Sequence, residues 1–235
     1  MSILCTSPST LAVASLWCRA ARDELLEVQP DADEIVRRAQ ETNATLVVLD
    51  GAAPGALRES LAQALRAPLL VVRDSSALEG WLDRARPLAL AVAYEASPTG
   101  DAALAWAAGL ARLAPVALVA LHSYGIHEQR EKRGLSGPLP IGTSDARIEA
   151  PLAGELRTHI AGLALGCEPR LVLRGCLGRP AEHLVQMAAE AEAELLVVGN
   201  HHRRKLERAW KGSVSRGVIE LAQCSVACIS VREPG

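Results

Sequence analysis

The chain of 235 residues has no phenylalanine, and only four Trp and two Tyr supply its aromatic content. Its core must therefore be packed mainly from Leu, Val and Ala. A strong charge of either sign is also missing. The formal net charge is −2, so nothing global draws the chain to nucleic acid or to an acidic membrane. No apolar run approaches the ~20 residues needed to span a bilayer. No basic segment precedes the first apolar residues, as a secretory signal would require. A soluble, cytoplasmic protein is the expectation. The six cysteines, Cys5, Cys18, Cys167, Cys176, Cys224 and Cys228, form no C-x-x-C pair and mostly lie in apolar stretches. They read as buried free thiols rather than disulfides or metal ligands. Ser-His-Asp spacing, paired carboxylates and a Walker loop are all absent, so no catalytic residue is assigned.

What is present is a repeated α/β pattern. Pro87–Tyr94 and Val116–Tyr124 are short, nearly continuous apolar runs, as expected of strands covered on both faces. Between them, Ser97-Pro98-Thr99 places Pro in the first turn of a helix reaching about Leu113. Gly125–Glu149, rich in charge, Gly and Pro, reads as a long surface loop. A helix is expected around Leu152–Leu165 and a strand at Arg170–Arg174. A second helix opens at Pro180, with Ala181, Leu184, Val185 and Ala188 at helical spacing. Glu194–Val198 is a strand, Gly199–Gly212 a loop, Ser213–Ala222 a helix and Ser225–Val231 a last strand. Five strands alternating with helices imply a parallel sheet with helices on both faces.

The first part of the chain repeats the end of this pattern. Ile35 and Leu184 stand 149 residues apart, as do Leu46 and Leu195, which points to domain duplication rather than a solenoid. Ala67–Arg73 mirrors the final strand. Ahead of Glu34, Ser2–Cys5 reads as a strand, Leu11–Arg22 as a helix and Leu25–Val28 as a strand, so one strand and one helix of the full unit are missing. The expected organisation is a shortened copy at 1–75, a linker at 76–86 carrying Trp81 as a docking contact, and a complete unit at 87–235.

Gly199-Asn-His-His202, followed at a fixed distance by Gly212-Ser213-Val214-Ser215, resembles the phosphate loop G-x2-G-x9-G-[ST] of the universal stress proteins. Leu121-His122, Gly178-Arg-Pro180-Ala181-Glu182 and Ala222-Gln-Cys224-Ser225-Val226 resemble other segments of that family. The resemblance covers roughly Pro87 to Glu233 well and Asp33 to Arg73 weakly. It implies two tandem universal-stress-protein-like (adenine nucleotide alpha hydrolase-like) domains, with parallel sheets flanked by helices. It also implies a site for ATP, with magnesium, confined to the C-terminal half and contacted by Gly199, His202, Gly212, Ser213, Val214 and Ser215. Glycines let backbone approach phosphate oxygens, and amides opening the next helix donate to an anion.

Two positions depart from the family's pattern. His202 replaces the motif's second glycine. Ala93 stands nearest the Asp that ends the family's first strand, and its side chain accepts no hydrogen bond; the register aims Glu95 elsewhere. In the first copy, the matching loop Asp50-Gly51-Ala-Ala-Pro54-Gly55 is too short to wrap a triphosphate, and Asp50 puts a negative charge where Gly199 sits in the second. This copy is expected to serve as structure, packed against the other.

His201-His202-Arg203-Arg204-Lys205 has no Cys or carboxylate at zinc-ligand spacing, so no metal site is assigned. The basic run also lacks interleaved aromatics for stacking bases, Trp210 being alone, so nucleic acid is not an expected partner. It reads as a solvated loop or as an attractor of phosphate. His122 reads as a core histidine, His159 and His183 as solvent-facing helix residues, and Glu128–Arg133 as a charged surface segment. The expected function is a mainly non-catalytic stress-response protein working through dimerisation and protein partners, its final strand pairing in a homodimer or in a tandem pseudo-dimer of the two halves. The alternative is an ATP-binding switch or weak ATPase using the 199–215 loop.

Overall fold

A computed structural model describes residues 1–138, 144–200 and 214–231. Nine strands form one sheet: β1 (Ser2–Cys5), β2 (Glu24–Glu27), β3 (Leu46–Asp50), β4 (Leu69–Val72), β5 (Leu88–Ala93), β6 (Val116–Gly125), β7 (Arg170–Cys176), β8 (Leu195–Asn200) and β9 (Ser225–Ser230). The helices are α1 (Leu11–Ala21), α2 (Ala32–Glu41), α3 (Gly55–Ala64), α4 (Ser75–Leu82), α5 (Pro98–Gly109), α6 (Ile126–Lys132), α7 (Ala146–Gly162), α8 (Pro180–Glu190) and α9 (Val214–Leu221). Local chemistry starts several of them. The Asp31 carboxylate accepts from the Glu34 amide ahead of α2, and the Ser97 hydroxyl from the Gly100 amide ahead of α5, where Pro98 occupies the first turn.

The strand order is β2-β1-β3-β4-β9-β8-β5-β6-β7. Every neighbouring pair is parallel except β4 with β9, which run antiparallel with Leu69 opposite Cys228 and Val71 opposite Val226. The order β2-β1-β3-β4 has the same sense as β6-β5-β8-β9. Among the described residues, β7 has no counterpart in the first half. Because β9 bonds to both β4 and β8, the final strand lies inside the sheet and offers no edge to another molecule.

Two apolar layers cover the sheet, and each runs through both halves. One holds Ile3, Val13, Trp17, Trp81, Leu90, Leu104 and Leu152, beneath α1, α4, α5 and α7. The other holds Leu4, Ile35, Val47, Leu61, Leu184, Leu196 and Val218, beneath α2, α3, α8 and α9. Strands β1, β3 and β4 are buried almost throughout, which is why they read as unbroken apolar runs.

Two segments differ from the sequence expectation. Most of the first part of the expected linker is helical, in α4, capped by the Asp74 carboxylate on the Ser76 amide, and Trp81 is fully buried. Its ring meets Trp17 edge-on at 5.4 Å, and Trp17 stacks on Trp106 at 6.2 Å, so α1, α4 and α5 share one aromatic contact. The expected loop after β6 instead contains α6, and α7 begins at Ala146. In α6, Arg130 is buried rather than solvent-facing. It pairs with buried Asp145 at 3.3 Å and donates to the carbonyls of Ser136 and Gly137. A charge run reads as surface unless a carboxylate and carbonyls from outside the run meet it inside.

Candidate functional site

The order of strands reverses between β5 and β8: the chain leaves β5 toward β6 and β7, then returns to β8 on the other side. In an open α/β sheet the crevice at the carboxyl ends of such a pair is where ligands bind. Here β5 and β8 stay paired to Ala93 and Val198. Beyond that point the Tyr94 amide turns to the Leu121 carbonyl of β6, while Gly199 and Asn200 continue along β9. The first turn of α5 leans across the opening. A Cβ on Gly199 would come within 2.7 Å of the Thr99 carbonyl oxygen, far inside van der Waals contact, so glycine there is what lets α5 approach the end of β8.

The side chains around the crevice are mostly engaged by the protein itself. Ala93 ends β5 and contributes no polar atom. Exposed Glu95 accepts from the Ser97 hydroxyl at 3.0 Å. His122 lies in β6 with Nδ1 2.8 Å from the Tyr94 carbonyl; burial holds its imidazole below the usual histidine range, against that hydrogen bond and the charge of Glu95. Two histidines expected to face solvent have partners. His183 Nδ1 lies 2.8 Å from the Ser123 hydroxyl, and His159 Nε2 is 3.0 Å from both carboxylate oxygens of Asp101.

Of the six residues assigned to the site, Gly199, Val214 and Ser215 are described. His202, Gly212 and Ser213 lie outside the described residues, as does the basic run 203–205. Ser215, in the first turn of α9, is buried, and its hydroxyl donates to the Asn200 side-chain oxygen at 3.2 Å. The Asn200 amide in turn donates to the Ala62 carbonyl at 2.5 Å, near the end of α3. Arg73, just past β4, donates to the carbonyls of Ala222 and Ile219 at the end of α9. Each half thus supplies a donor to the last carbonyls of the other half's helix, groups that a helix cannot satisfy internally. Arg216 adds an ion pair to Glu59 across the same boundary at 3.1 Å. A small cavity of about 210 Å³ lies here, lined by Arg58, Gln63, Asn200 and Ser215 among others.

Sequence reasoning missed Asn200. The signal was a polar residue at the last position of the otherwise apolar strand β8, a place where a buried amide must find partners. Asn200→Ala is expected to destabilise the fold by about 1–3 kcal/mol, read from urea unfolding. Asn200→Asp should cost more, because it loses the donor and sets a buried charge against the Ala62 carbonyl.

Among the described residues no cluster of three potential metal ligands occurs, and no helix is long and apolar enough to cross a membrane. The cysteines are free thiols, with Cys5, Cys18 and Cys228 buried and Cys167 exposed.

Comparison with known proteins bears on this geometry. A model of the universal stress protein family matches residues 89–230. A solved structure of a protein of unknown function from Pseudomonas aeruginosa PAO1 is similar at 15% identity and a TM-score of 0.63, over 97% of this chain and 81% of that one. A universal stress protein from Archaeoglobus fulgidus DSM 4304 is similar at 15% identity and a TM-score of 0.54, over 94% and 75%. At these identities the likeness concerns the fold alone. No curated protein matches the chain.

Proposed function

The chain belongs to the universal stress protein family, and on that premise we propose that it acts in the stress response without catalysis, through contacts with protein partners in the cytoplasm. The observation that carries this reading is the inward commitment of the site's own groups. Ser215 serves the Asn200–Ala62 chain between the halves, and Ala93 brings nothing that could recognise a nucleoside. The buried thiols are in keeping with a reducing compartment.

On the same reading, residues 1–75 are a shortened copy of the unit at 87–235. Strand order supports this, and so does the start of the first helix in each half: Ser7-Pro8 caps the turn before α1 as Ser97-Pro98 caps α5. The β4–β9 seam then makes inside one chain the pairing that two subunits would otherwise make, and partner contacts fall to other surfaces, such as the outer edges β2 and β7.

A second reading rests on the crevice between β5 and β8. It lies where an adenine nucleotide is expected, and Gly199 permits close backbone approach. Gly199, Val214 and Ser215, with His202, Gly212 and Ser213, would then hold ATP and its magnesium. The bound nucleotide would supply a charged switch element, and Ser215, through Asn200, would pass its presence to α3. Titration calorimetry of ATP with magnesium separates the two readings. We expect no heat in the wild type or in Gly212→Asp. Saturable binding that Gly212→Asp abolishes would overturn the first reading in favour of the switch.

A further inference from the structure

The reversal of strand order occurs twice in this sheet. In the first half the chain leaves β1 toward β2 and returns to β3 on the other side, so a second crevice opens at the carboxyl ends of β1, β2 and β3. It is far larger than the cavity between α3 and α9: about 800 Å³, bounded by Thr6 and Ser7 after β1, by Glu27 and Gln29 at the end of β2, by Arg38 of α2, and by Asp50 at the end of β3. Such a volume suits a small molecule. The short segment 51–54 leaves it open where a longer loop would close over a triphosphate.

The charges on its wall state what it would take. Asp50 sits at the mouth, half-buried. Its partners are neutral: the Ser9 hydroxyl donates to one oxygen and the Ala52 amide to the other at 2.6 Å. These hydrogen bonds hold the carboxyl below the usual carboxylate range, so it stays ionised. No cation compensates it among the described residues. Glu27, at the end of β2, also has no ion-pair partner there, and neither does Arg38. Glu34, by contrast, is taken up by Arg37 at 2.6 Å. The wall therefore presents two uncompensated carboxylates and one uncompensated guanidinium. Phosphate is disfavoured by the two carboxylates, whereas an ammonium beside Asp50 and Glu27 with a carboxylate on Arg38 satisfies all three.

We propose that the crevice between β1 and β3 is a second ligand site, independent of the C-terminal one, and that it takes a small zwitterion of net positive charge, an amino acid with a basic side chain. The ammonium groups meet Asp50 and Glu27, and the carboxylate meets the Arg38 fork in the bidentate manner that guanidinium favours.

The test uses the full chain and L-lysine as the probe, followed by calorimetry at low salt. Saturable binding is expected. Asp50→Asn and Arg38→Gln should each weaken it at least ~10-fold, since each removes one charge-assisted contact. Gly212→Asp should leave it unchanged, which separates this site from any nucleotide site. Exposed Glu27→Gln guards against a folding defect: it alters the charge without touching the hydrogen bonds of Asp50, and several-fold weakening is expected. 1,5-Diaminopentane, which lacks the carboxylate, should bind more weakly than lysine, and Arg38→Gln should not weaken it further. Absence of saturable heat with lysine, or binding that none of the three charge variants alters, would overturn the proposal.

Discussion

Trp81→Ala is expected to remove about 3–5 kcal/mol of folding stability, enough to leave a domain of ordinary stability close to unfolding. The side chain is fully buried and meets Trp17 edge-on, and Trp17 in turn stacks on Trp106. Deleting the indole therefore opens a void where α1, α4 and α5 come together, elements from both halves of the chain. The rings that border the void, Trp17 and through it Trp106, are themselves buried or packed against one another, so filling it would mean breaking their own contacts. Trp81→Phe is the informative companion. The indole N–H is buried with no hydrogen-bond partner among the described residues, so losing it forfeits no bond. The expected cost is the smaller one of reduced volume, about 1–2 kcal/mol. Chemical denaturation of the three proteins checks the ranking. Equal, small losses for both variants would show that 75–82 behaves as a tether rather than as part of the core.

Gly100→Ala carries the second large effect, and its sign is decided by competing terms. In an exposed helix interior the exchange would stabilise by about 1 kcal/mol, because alanine is the better helix former. Here an added Cβ would lie 2.0 Å from the Glu95 carbonyl oxygen and 3.1 Å from the Glu95 nitrogen. Those are backbone atoms of the turn that leads into α5, so relief requires moving the turn itself. The clash outweighs propensity, and a net loss of about 3 kcal/mol or more is expected. The same movement would shift Thr99 away from Gly199 and change the mouth of the β5–β8 crevice. A thermal scan of Gly100→Ala should therefore show a large drop in Tm; an unchanged or raised Tm would mean that the turn yields freely.

How far these features were legible from the sequence depended on the range of the forces behind them. The strands were plain, because a strand buried on both faces must be apolar throughout, and Leu46–Leu49 or Leu195–Val198 need no partner to be identified. Helix starts were readable for the same local reason, as Ser97-Pro98 shows. The alternation of elements also made the parallel sheet legible, though not which pair of strands the order would part. The role of Ser215 did not: its hydroxyl is turned inward by Asn200, and Asn200 by a carbonyl 138 residues away. Residues 76–86 looked like a linker because they are short and carry several polar groups. Only the presence of Trp17 in space makes Trp81 a core residue. Arg130 misled in the same way, since its burial depends on Asp145 and on two carbonyls supplied by the turn after α6. The first half looked purely structural because its loop is short. Its crevice is set by strand order, which a single element does not reveal.

The antiparallel meeting of β4 and β9 has a consequence for how this molecule can vary. When two identical chains meet across a two-fold axis, dilution separates them, and every substitution arrives on both sides at once. Here both strands belong to one polypeptide. Tethering replaces bulk concentration by a fixed local one, so the joint persists at any dilution. The two sides are also released from sameness. Asp50 at the end of β3 and Gly199 near the end of β8 occupy corresponding places, yet one is an anion and the other has no side chain at all. A symmetric pair of subunits has no means of holding that difference, whereas a single chain holds it by construction.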